Sequence, residues 1–72
     1  MADWKSIVEK WPSPEAMAED VGVSPITVRA WQGRGIPPLR WLAVVHAAKR
    51  RGYHGVTLDR LAALAKRQRR RA

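Results

Sequence analysis

Apolar residues recur along this chain at helical spacing, and prolines and glycines cut the pattern into about five short pieces with no strand-like alternation. Trp4, Ile7, Val8 and Trp11 fall at i, i+3, i+4 and i+7, one stripe of a first helix that Asp3 can cap and Pro12 ends. Ser13-Pro14 then pairs an N-cap with a proline at the first helical position, and Met17, Ala18 and Val21 form the inner face until Gly22. Ser24-Pro25 repeats that signal and opens a third helix over residues 24–32, ending before Gly33. So short a link requires a sharp turn between the two helices. Pro37-Pro38 starts a fourth helix, with Trp41, Val44, Val45 and Ala48 inward and an end at Gly52. Thr57 can cap a fifth that turns Leu58, Leu61, Ala62 and Ala65 inward. The expected fold class is all-α, a compact bundle of about five short helices over residues 1–65. Residues 66–72 have no apolar face left and are expected to fray into a mobile basic C-terminal arm.

Size and charge then narrow the chemistry. A chain of 72 residues is one small domain with a thin core, for which association with a second copy is an expected source of stability. A self-contained enzyme with a deep cleft does not fit that size. The formal charge is +8, and it is unevenly distributed: residues 1–28 carry net −3 and residues 29–72 net +11. Such asymmetry separates a scaffold side from a side suited to a polyanion, nucleic acid first among them. With zero cysteines, thiolate metal sites and disulfides are excluded, and a reducing cytosol is the expected setting. The N-terminus lacks a basic segment followed by an apolar run, and the longest apolar stretch, residues 41–48, contains His46. A soluble cytoplasmic protein that begins at its start methionine, with no membrane partner, is the expectation.

The run from Ala18 to Trp31, Ala-Glu-Asp-Val-Gly-Val-Ser-Pro-Ile-Thr-Val-Arg-Ala-Trp, resembles a DNA-binding helix-turn-helix. Each position has a physical reason. Ala18 is small where the next helix crosses, Gly22 supplies a left-handed turn conformation, and Val23 plugs the turn. Val28 and Trp31, three apart, turn the third helix inward onto Met17, Ala18 and Val21. The continuation, Trp31 followed by Arg34-Gly35-Ile36-Pro37 and later Val56-Thr57-x-x-x-Leu61, is similar to small Cro-type and YdaS-type regulators of phage and bacteria. That resemblance implies a repressor of the bacterial cytoplasm or nucleoid that occupies an operator, and the thin core together with the limited affinity of one short recognition helix adds the expectation of a homodimer. A weaker likeness to excisionase-type and MerR-type domains leaves open a β-hairpin wing over residues 33–38.

At 100° per residue from Pro25, Val28, Trp31 and Thr27 take the inner arc of the third helix, and Ile26, Arg29 and Ala30 face outward. Outward residues of a recognition helix meet base edges in the major groove. Arg29 can fork to guanine, Ile26 and Ala30 can pack on thymine methyls, and Ser24 and Pro25 at the amino end can meet phosphate or base. Arg34 and Arg40, flanking the start of the fourth helix, suit the sugar-phosphate backbone. Ordinary roles compete: Ile26 as core, Ser24 as cap only, the arginines as solvated surface. Lys49, Arg50 and Arg51 complement a helix dipole. Glu19 and Asp20 face outward near the expected DNA path, which is unfavourable for a polyanion.

Other chemistry has little support. His46 and His54 lack metal-ligand spacing, and no serine has a His and Asp set to activate it, so neither metal, cofactor, small-molecule ligand nor catalytic role is expected. The four tryptophans could stack single-stranded bases, but all lie on apolar stripes, which favours the core. Two alternatives remain. One is a basic RNA-binding protein that works through its arginine tail. The other is an antitoxin-type partner-binding protein whose DNA binding is autoregulatory. A dimer contact through Leu58, Leu61 and Leu64 is also expected.

Overall fold

The computed structural model describes residues 3–70, with side chains through residue 67. Among these residues lie five helices and no strand: α1 (Trp4–Val8), α2 (Pro14–Val21), α3 (Pro25–Arg34), α4 (Pro38–Arg51) and α5 (Leu58–Arg70). The all-α expectation holds. A wing is absent from residues 33–38, which complete α3, cross a short extended link and begin α4. None of these helices is long and apolar enough to cross a membrane.

Four helices start on side-chain caps that the local sequence supplies. Asp3 Oδ1 accepts the Ser6 N–H at 2.8 Å, Ser13 Oγ that of Ala16 at 3.1 Å, Ser24 Oγ that of Thr27 at 3.2 Å and Thr57 Oγ1 that of Arg60 at 3.2 Å. Each such bond satisfies an amide that the helix leaves open, worth about 1 kcal/mol. Between α2 and α3, Gly22 adopts φ 87° and ψ 37°. Its own N–H and that of Val23 both donate to the Ala18 carbonyl, at 2.8 and 3.0 Å. A Cβ there would meet nothing within 4 Å, so the requirement for glycine is one of backbone conformation rather than space.

The core draws on every helix. Trp4, Ile7, Val8 and Trp11 from α1 and its following turn meet Met17 and Ala18 of α2 and Val28 and Trp31 of α3. Val44, Ala47, Ala48, Leu61 and Leu64 extend it through α4 and α5. Side chains of the Ile7, Val28 and Leu61 kind stabilise by about 1.5–3 kcal/mol each when fully buried. α3 packs against both α1 and α2, α2 also against α4, and α4 against α5.

Several boundaries and faces differ from expectation. α3 continues through Gly33 to Arg34, because the residue that ends it is Gly35, at φ 94° and ψ 162°, a region open essentially to glycine. On α4, Ala47 is buried while Trp41 and Val45 are only half-buried, and the Trp41 indole stays at the margin, where Nε1 donates to the Ile36 carbonyl at 2.7 Å. On α5 the packed stripe is Leu61, Leu64 and Ala65. Leu58, at the first helical position, is 46% exposed, and Ala62, about 100° round from Leu61, faces outward. Leu61 and Leu64 therefore belong to this chain's own core and are not available as a dimer contact. α5 also runs five residues beyond the expected end at Ala65: Lys, Arg and Gln are good helix formers and can extend an existing helix without an apolar face. Arg71 and Ala72, the end of the expected arm, lie outside the described residues.

Asp20 is not the outward acid that the sequence suggested. Trp11, 3% exposed, must place its indole N–H, and Nε1 donates to Asp20 Oδ2 at 3.0 Å. Arg51 at the end of α4 donates from Nε to the same oxygen and from Nη2 to Oδ1 at 3.4 Å, and Arg50 Nη2 reaches the Asp20 carbonyl at 3.1 Å. Tyr53 closes the group with its ring edge-on to Trp11, the centroids 5.1 Å apart. One carboxylate thus joins the turn after α1, the end of α2 and the end of α4. Glu19 is exposed.

The bond from Arg51, then that from Trp11, holds the Asp20 carboxyl below the usual aspartate range. A lowered folded-state pKa stabilises fully above the unfolded value of about 3.9 and is lost as pH falls through that value towards the lower folded one. Asp20→Ala should therefore destabilise by about 1–3 kcal/mol, the cost of an unsatisfied buried donor, in urea denaturation at neutral pH. The same variant should lose less stability than the parent on acidification through that window. An equal acid loss in both would remove Asp20 from the account.

Candidate nucleic-acid interface

α3 has two faces of opposite character. Val28 and Trp31, 0% and 3% exposed, anchor it to α1 and α2. Ile26, Arg29, Ala30, Gly33 and Arg34 are all exposed. On a 100° wheel these five occupy one continuous arc of about 140°. Ile26 is 77% exposed and so takes no part in the core. Thr27, placed inward by the wheel, is half-buried and shares a 2.9 Å hydroxyl bond with Ser24. Pro25 is half-buried at the first helical position, where the absence of its N–H costs nothing.

The expected contact residues fall into two groups. Ser24, Pro25, Ile26, Arg29, Ala30 and Arg34 share the one helix and its cap. Arg40 is separate, exposed in the first turn of α4 beyond the link through Ile36. Ser24 is exposed and already accepts the Thr27 amide, so cap and candidate contact coexist in one hydroxyl, which has two acceptor sites and a donor.

Two features of the face are not evident in the sequence. Gly33 was expected to stop the helix. It lies inside α3 on the wheel between Arg29 and Ile26, and a Cβ there would meet only open space. A glycine at that place leaves the helix surface low, which suits close approach to another molecule. A revised helix end at Gly35, the next glycine, would have revealed it. Glu15 is the second feature. Its carboxylate, in the first turn of α2, accepts from Arg29 Nη2 fourteen residues away, and no local spacing announces a contact between two helices.

Because Gly33 has an ordinary helical φ and free space around it, Gly33→Ala should stabilise the protein by about 0.5–1 kcal/mol, the usual difference between alanine and glycine inside a helix. A urea midpoint that falls instead would place Gly33 outside the helix. No protein-family model, curated protein or solved structure matches this chain.

Proposed function

We propose that this chain is a sequence-specific double-stranded DNA-binding transcriptional regulator that inserts α3 in the major groove and represses by occupying an operator. The observation that carries this reading is the continuous exposed arc of α3, with a forkable arginine, an isoleucine, an alanine and a glycine, on a helix whose opposite side is locked into the core. A groove-binding helix needs that combination: a rigid seat behind and a low, mixed polar and apolar surface in front. The +8 charge supplies attraction to phosphate, with Arg34 and Arg40 as backbone contacts beside the groove. The indole rings are less suited to stacking single-stranded bases, since Trp4, Trp11 and Trp31 are buried.

A second copy is part of the proposal, because one short helix provides limited affinity. Two half-sites about one helical turn apart, in an inverted repeat, should be protected together, and sedimentation of the complex should give two chains per site. A single chain on a single half-site would contradict it.

The residue test compares Arg29→Ala with Arg40→Ala on a duplex selected by the protein and on a scrambled one. Loss of Arg29 should cost about 1–3 kcal/mol on the selected duplex and relax the choice at one base pair, with little change on scrambled DNA. Loss of Arg40 should weaken both by a similar factor. Folded Arg29→Ala that discriminates as well as the parent would contradict the assignment, as would a preference of the parent for structured RNA over every duplex.

A further inference from the structure

The Glu15–Arg29 pair sits on the outer surface, its two side chains 55% and 54% exposed. An exposed pair of this kind adds little to stability, so its place at the proposed reading residue invites another role. The geometry points to Glu15 as a specificity-determining residue that leaves Arg29 able to read a base while withholding its charge from phosphates. This rests on the reading of α3 proposed above.

A guanidinium has five N–H donors, and the bond to Glu15 engages Nη2 alone. Enough donors remain for a two-bond fork to guanine O6 and N7 with the ion pair intact. A guanine edge is neutral and does not compete with the carboxylate. A phosphate does compete, because binding away from the target site draws its energy from positive charges that displace counterions. Arg29 neutralised by Glu15 contributes little there unless the phosphate displaces the carboxylate. The pair therefore reduces attraction to random duplex and spares base reading, which raises the ratio between the two. Glu15 also holds the long arginine side chain in place before DNA arrives, so less freedom is lost on binding.

The test is Glu15→Gln, measured by fluorescence anisotropy across a salt series on the duplex that the parent selects from a random library and on its scrambled counterpart. Affinity for the scrambled duplex should rise about eightfold near 0.1 M salt, and the salt slope should steepen by about 0.9, the increments of one added phosphate contact. Affinity for the selected duplex should change less, so discrimination falls. In an Arg29→Ala background the effect of Glu15→Gln should vanish. The inference is overturned if the parent selects a site and Glu15→Gln leaves scrambled binding and its slope unchanged. It is also overturned if the increase is equally large without Arg29, which would mark a general loss of negative charge. A parent that selects no site overturns the reading of α3 and this inference with it. Thermal melting by circular dichroism should show Glu15→Gln folded like the parent.

Discussion

A buried indole has to give its N–H to an acceptor, and in this small protein the acceptor chosen by Trp11 organises much else. Asp20 takes that bond and at the same time receives Arg51, while its backbone carbonyl takes Arg50. The carboxylate is partly exposed at the edge of the bundle, where it satisfies the indole donor while keeping access to solvent. Two arginines at the end of α4 complete the group, and Tyr53 packs edge-on against the Trp11 ring. The result fixes α2 at its carboxyl end to both neighbours, immediately before the Gly22 turn. The direction in which the chain leaves that turn sets the axis of α3.

The seat of α3 follows from this. α1 and α2 together form the surface on which Val28 and Trp31 rest, so the helix is held along one side over its middle turns. Its outer side is left with one large apolar group, one alanine, one glycine and two arginines. A chain of 72 residues has few apolar groups to spare, yet Ile26, Leu39 and Leu42 remain largely outside the core. The acidic half of the sequence is not idle either. Glu15 and Asp20 are engaged with arginines of the basic half, so the charge asymmetry along the chain becomes cross-links in space as well as a positive surplus.

Local signals in the sequence corresponded closely to the structure where the physics is local. Asp3, Ser13, Ser24 and Thr57 announced four helix starts, Gly22 announced the turn, and the spacing of Val28 and Trp31 gave the inner face of α3. The readings that differed depended on distant partners or on competing local choices. Asp20 looked outward because its partners, Trp11 and Arg51, are brought near only by the fold. The Glu15 partner of Arg29 was not legible for the same reason, being on another helix. Gly33 and Gly35 offered two equivalent stops, and the backbone took the second. Leu58 and Leu64 differ in burial because one begins α5 and the other lies in its packed stretch, a distinction that periodicity alone does not draw.

The central claim is that the exposed side of α3 is the surface that meets duplex DNA. Amide chemical-shift mapping of the full chain, isotope-labelled and titrated with a duplex that it selects, tests this most directly. The account predicts that the largest changes fall at residues 24–34, with the Arg29 Nε signal among them. Changes confined to residues 58–70, with α3 unperturbed, would contradict it.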